Sequence, residues 1–174
     1  MTVLGINHIV LFVRDAERSA EFYREAMGFH VVFGMEGQAY FMQAEGSTND
    51  HDLAVMSIGA DARASGAGST SVGMYHVAWE VDTLMELQSR ARKLSEMGAL
   101  VGASDHGTTK SLYAKDPDGL EFEVAWIIPL SELNESDLAA RSKGPLPLDI
   151  DAEIARFGAE RQGGVGVSRV VTPG

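Results

Sequence analysis

The chain has no cysteine, and that one absence removes disulfides, thiolate nucleophiles and cysteine-bound zinc from consideration. Any metal the protein holds must be bound by histidine and carboxylate, a ligand set that suits iron, manganese, nickel, cobalt or zinc. Basic residues are scarce as well: 14 Lys and Arg stand against 25 Asp and Glu, for a net charge of -11. They are scattered, so the electrostatic footprint of nucleic-acid binding is missing. Long apolar runs are also lacking. Residues 9–13 and 124–130, the longest, fall far short of the roughly 20 that a membrane-spanning helix needs. Neither nucleic acid nor a membrane is an expected partner. Met1-Thr2-Val3-Leu4-Gly5 enters a strand-like pattern with no basic region or cleavage site, so a cytoplasmic location is expected rather than export.

What is present is ordinary globular material. Apolar residues make up 45% and charged residues 22% of 174, which fits a single folded domain and speaks against disorder. Residues 6–13 form a near-continuous apolar, β-branched run with His8 inside it, the pattern of a buried strand. Asp15 then offers an N-cap, residues 16–27 carry a helical stripe of Ala16, Ala20, Phe22, Tyr23 and Ala26, and Gly28 stops the helix. Three short strands follow over 29–34, 38–43 and 52–58, giving the order βαβββ. Residues 59–73, rich in Gly, Ala and Ser, read as a connector.

The same order then recurs, with a strand over 74–81, a helix over 83–97 ended by Gly98, and strands near Leu100, over 111–115 and over 121–126. Ile6-Asn7-His8-Ile9-Val10 faces Met74-Tyr75-His76-Val77-Ala78, and Ala26-Met27-Gly28-Phe29 faces Glu96-Met97-Gly98-Ala99. Such an internal duplication predicts two like modules that pack to bury what each leaves exposed. Beyond Trp126 the pattern changes. A short polar, helical segment opens at residues 131–133, 144–148 are extended, and 151–157 form a turn or two of helix. The Gly- and Val-rich tail, 162–174, is expected to lie over the site or a neighbouring subunit, or to be mobile.

A lone histidine on an apolar strand is more often a hydrogen-bonded core residue than a ligand. His8 and His76, at matched positions of duplicated strands, reverse those odds. Asp116-Pro117-Asp118-Gly119 is a turn signal, because Pro presets φ and Gly supplies positive φ. It feeds a strand on which Glu121 and Glu123 share one face and Leu120, Phe122 and Val124 the other. One of these carboxylates can therefore point where the histidines point.

Two βαβββ modules, a histidine on the first strand of each, and a DPDG turn leading to a glutamate resemble the vicinal oxygen chelate superfamily. Asp105-His106-Gly107-Thr108-Thr109-Lys110-Ser111-Leu112-Tyr113, running into Asp116-Pro117-Asp118-Gly119, is similar to the signature of its type I extradiol ring-cleavage dioxygenases. His51-Asp52-Leu53-Ala54 resembles the segment that carries their acid/base histidine. The resemblance spans roughly residues 3–126, the equivalent of the catalytic half of larger two-domain members. It implies an α+β fold in which the modules, 3–58 and 74–126 joined by 59–73, form a half-open barrel over residues 1–128, with 129–174 as a C-terminal extension.

The resemblance also implies a site. His8, His76 and Glu123 would hold Fe(II), or alternatively Mn(II), with Glu121 as the register-shifted substitute. His106 and Tyr113 would hydrogen-bond a small aromatic diol, and His51 would act on dioxygen as proton donor. The activity implied is extradiol cleavage of a catechol-type ring. The alternatives within the superfamily are a metal-dependent isomerase, epimerase or lyase, or a metal-free drug-binding protein. A homodimer or higher homo-oligomer is implied as well. The place that corresponds to Glu123 in the first module, near Leu53 to Val55, offers only apolar side chains. His30 has no match and reads as ordinary strand surface or core.

Overall fold

The computed structural model describes Val3, residues 5–67 and residues 70–164. These divide into two compact units: one runs to Val72 and includes Asp116–Leu120, and the other comprises Gly73–Lys115 with the residues from Glu121 onward. Together they give an α+β architecture with open sheets of four and five strands.

The first unit has the order β1 (Ile9–Val13), α1 (Ala16–Met27), β2 (His30–Met35), β3 (Ala39–Gln43), β4 (Leu53–Ser57). Its sheet is ordered β1-β4-β3-β2, with β1 parallel to β4 and the other pairs antiparallel. Helix α1 starts where Asp15 accepts hydrogen bonds from the backbone N–H groups of Glu17 and Arg18, and ends at Gly28 in the left-handed region at φ 74°. Its stripe of Ala16, Ala20, Phe22, Tyr23 and Ala26 is buried, as are Leu11, Val13, Leu53 and Val55. The alternate residues Val10 and Phe12 are exposed on the other face. The DPDG turn belongs to this unit. Asp116 Oδ1 accepts from the N–H groups of Asp118 and Leu120, Gly119 sits at φ 83°, and Asp118 takes two hydrogen bonds from Arg14.

The second unit repeats the plan with β5 (His76–Glu80), α2 (Leu84–Glu96), β6 (Leu100–Asp105), β7 (Thr109–Lys115) and β8 (Glu121–Ile127), in sheet order β5-β8-β7-β6. Again the first strand runs parallel to the last. Lys110, Leu112 and Ala114 on β7 and Phe122, Val124 and Trp126 on β8 are buried together with Leu84, Leu87 and Leu94 of α2. Their alternate neighbours Ser111, Tyr113, Glu121 and Glu123 project from the opposite face. No helix among the described residues is long and apolar enough to cross a membrane.

The C-terminal segment adds a 3-10 turn at Leu130–Glu132, helix α3 (Glu135–Arg141), the short strand β9 (Leu146–Pro147) and helix α4 (Ile150–Phe157). Strand β9 extends the sheet by pairing with Ser104 and Asp105 of β6. Gly163 and Gly164 donate backbone hydrogen bonds to Asp82 and Ile127, so the described start of the tail lies along this unit; residues 165–174 fall outside the described residues.

Helix α3 is tied to α4 by Arg156, which donates to both oxygens of the buried Asp137, at 2.8 and 2.6 Å. Burial opposes ionisation of Asp137, but the Arg156 hydrogen bonds, the Asn134 N–H and nearby Lys110 outweigh it and hold the carboxyl below its ordinary value. A depressed folded-state value means that this contribution is present above the unfolded pKa of about 3.9 and is lost as pH falls through the folded value. Asp137→Asn is therefore expected to flatten the acid limb of the stability–pH curve below about pH 4. It should lower the unfolding free energy at neutral pH by about 2 kcal/mol, the scale of hydrogen bonds to charged groups. Urea melts of both proteins across pH 3 to 7 would measure this.

Candidate functional site

The face of the second sheet opposite α2 gathers His76, Glu121, Glu123 and Tyr113, with His106 joined to it through the Tyr113 hydroxyl. His76 opens β5 and is paired in register with Glu121, while Ala78, two residues on, is paired with Glu123. The His76 ring leans along the strand to Glu123, with Nε2 3.0 Å from Oε2. The side chains are 25% and 12% exposed, so the pair is shielded without being sealed. Ser111 on β7 donates its hydroxyl to the other oxygen, Glu123 Oε1, at 2.5 Å. Glu121, on the same face, is taken by Tyr75, whose phenol is held above its ordinary value first by that hydrogen bond.

Tyr113 lies directly opposite Glu123 across the β7–β8 ladder. Its ring is 5.8 Å from that of His76, and its hydroxyl shares a 2.8 Å hydrogen bond with His106 Nε2. Burial first, and then the negative charge of Glu123, push the Tyr113 phenol up to about 12. At neutral pH it therefore keeps its proton and is a hydrogen-bond donor.

In the first unit His8 and His51 come together, with ring centroids 4.4 Å apart. Asn7 Oδ1 lies 2.8 Å from His8 Nδ1. With the proton on Nδ1 that contact fixes the ring and leaves the Nε2 lone pair free. Asn49 in turn donates to the Asn7 carbonyl at 2.8 Å. His51 Nδ1 is 3.2 Å from Asp50 Oδ2, and Phe41 meets the His51 ring edge to face at 5.2 Å. The hydrogen bond with His51 is the first cause that holds the Asp50 carboxyl below its ordinary value. His30 is an exposed residue of the edge strand β2.

The donors present suit a divalent ion. A separation of 3.0 Å between His76 Nε2 and Glu123 Oε2 matches the edge between neighbouring ligands whose bonds to a metal are about 2.1 Å. His76 Nδ1 is buried without a hydrogen-bond partner, so the ring's polar contact is the one made at Nε2. Among the described residues, neither unit holds within itself three or more His, Asp or Glu side chains grouped to bind a metal. Sequence reasoning missed Ser111, Asn7 and Asn49. Strand alternation, which puts Ser111 on the same face as Tyr113, could have flagged the first; nothing local flags the asparagines.

Two units of the same element order, with a histidine just before the first strand of one and at the first residue of that strand in the other, define a class. The family model for the Glyoxalase/Bleomycin resistance protein/Dioxygenase superfamily matches residues 5–124, and the chain belongs to that superfamily. Within it, the chain is similar to "Catechol-2,3-dioxygenase" of Bacillus subtilis (strain 168), at 28% identity over 90% of this chain and 53% of the relative. It is similar also to "Biphenyl-2,3-diol 1,2-dioxygenase 2" of Rhodococcus globerulus, at 31% identity over 64% of this chain and 57% of the relative. The chain thus spans little more than half the length of these curated relatives. Among solved structures, lactoylglutathione lyase from Agrobacterium tumefaciens shares the fold, with a TM-score of 0.54 and 20% identity over 72% of this chain and 95% of that one.

Proposed function

We propose that the chain is an extradiol ring-cleavage dioxygenase, which opens a catechol-type ring with dioxygen using Fe(II), or Mn(II) in its place, held by His8, His76 and Glu123. The observation that carries this reading is a single sheet face on which the His76–Glu123 pair stands next to the hydrogen-bonded His106–Tyr113 pair. The names of the two dioxygenase relatives support the same chemistry. Two imidazoles and one carboxylate leave coordination positions open, as in non-haem Fe(II) oxygenases. When bound, the ion supplies positive charge that favours the catecholate and an electronic route from ring to dioxygen.

The chain's own side chains do the remaining work. Tyr113, protonated at neutral pH, donates to a substrate oxygen, and His106, bound to the same hydroxyl, fixes the direction of that donation. Ser111 holds Glu123 in one rotamer so that Oε2 stays turned to His76. Asp50 engages His51 at Nδ1, which leaves Nε2 to carry the proton delivered as the O–O bond breaks. Ser111→Ala is expected to keep the fold and weaken Fe(II) binding by about 10- to 100-fold, the usual cost of losing an outer-shell partner; competition against a fluorescent chelator measures it.

The activity itself is tested by anaerobic reconstitution with Fe(II) and with Mn(II), followed by a panel of catechols. Oxygen uptake coupled to a yellow ring-fission product is expected on at least one of them. Zinc or nickel in the purified protein, with no uptake on any catechol, would move the chain to the isomerase, epimerase or lyase side of its superfamily. Failure to hold any ion would make it a metal-free binding protein.

A further inference from the structure

The C-terminal helices are bound to the rest of their unit by charges that close a circuit on the loop bearing His106. That loop, residues 106–108, joins β6 to β7. Gly107 N–H donates to Asp105 Oδ1 at 2.7 Å, and Lys110 Nζ donates to the same oxygen at 2.6 Å. Lys110, 1% exposed, also reaches Glu153 Oε2 of α4 at 3.4 Å. Arg156, one turn further along α4, stands 3.8 Å from that carboxylate and donates twice to Asp137 of α3. The backbone of α3 then returns to the loop. A Cβ on Gly107 would overlap the Asp137 carbonyl oxygen and lie 2.7 Å from Arg141 N, and Gly107 itself sits at φ +81°.

Strand β9 pins the residues just before the loop, Ser104 and Asp105. Lys110 lies on the helix-covered side of the sheet, opposite Ser111 and Tyr113, and the circuit reaches the loop that carries His106. Burying a lysine and an aspartate is costly unless both are fully engaged.

We propose that α3 and α4 act as a clamp on the 106–108 loop, with Asp137, Glu153 and Arg156 as positioning residues that hold His106 against the Tyr113 hydroxyl. The proposal rests on the reading that His106 orients the substrate. Misplacing such a group by about 1 Å can cost about 10²-fold in rate.

The test uses the full chain in two forms. In the metal-free protein labelled with ¹⁵N-histidine, Gly107→Ala shifts the side-chain resonances of His106 and leaves those of His30 in place. Asp137→Asn, which preserves side-chain shape, shifts them in the same direction by less and guards against a Gly107 variant that does not fold. In the Fe(II)-loaded protein, Gly107→Ala lowers kcat/KM on catechol by up to about 10²-fold, and His106→Ala/Gly107→Ala is no worse than His106→Ala alone, the non-additivity of residues acting as one. Unmoved His106 resonances in both folded variants, or additive losses in the double variant, overturn the clamp. If the wild-type chain opens no catechol, the ring-cleavage reading falls, and the histidine spectra still decide whether the extension positions His106.

Discussion

Replacing Glu123 by alanine is expected to strip the chain of its divalent ion and of turnover with it. Glu123 is the only anionic member of the proposed ligand set, and its two oxygens are committed, one to His76 and one to Ser111. Loss of an outer-shell partner alone costs about 10- to 100-fold in metal affinity; loss of the charged ligand itself removes a bond and a unit of neutralising charge, so the effect must be larger. Glu121→Ala is the control, since Glu121 shares the face but is occupied by Tyr75. Metal content after anaerobic loading with Fe(II), read beside circular dichroism, separates loss of the ion from loss of the fold. Should Glu121→Ala empty the protein while Glu123→Ala keeps its metal, the ligand assignment moves by one register step.

The strand pattern alone does not choose between the two carboxylates. Alternation puts Glu121 and Glu123 on one face equally. What distinguishes them is the parallel pairing of β5 with β8, which sets Ala78, not a bulky residue, beside Glu123 and lets the His76 ring lean over it. Helix α1 was legible to the residue because its limits are local: an aspartate whose side chain caps one end and a left-handed glycine at the other. Strand β1 was not, beginning at Ile9 rather than at residue 6, because its start is set by where β4 begins, at Leu53. The β9 pairing and the partners of buried Lys110 are equally non-local. A lysine inside an apolar strand carries no sign of a carboxylate arriving from a later helix.

The duplication bears on the proposed ligand set as well. In the first module Val10 is paired with Ala54, as Ala78 is with Glu123 in the second. Leu53, Ala54 and Val55 are fully buried, so a carboxylate at Ala54 would be charged in a packed, apolar place with no partner shown for it. In the proposed site the first module therefore offers imidazoles alone: His8, and His51 from the loop just before β4. Such a division of labour keeps the count of proposed protein ligands at three, which leaves room for two small molecules at one ion.

His51→Ala is expected to keep its metal and its fold yet lose about 10²- to 10⁴-fold in kcat, the range that a positioned acid or base contributes. The His51 side chain is 15% exposed, faces the His8 ring at 4.4 Å and is braced by Phe41, so it stands close to a proposed ligand without belonging to the ligand set. Asp50, 80% exposed, orients the ring from solvent, and Asp50→Asn should accordingly cost far less than removal of the imidazole. KM for catechol should change little in either variant, because the groups proposed to orient the substrate are His106 and Tyr113. A drop confined to kcat marks an interaction used in the reaction and not in binding. Unchanged kcat in a His51→Ala protein with full iron content would remove this histidine from the proton transfer and leave its contact with His8 as its only role.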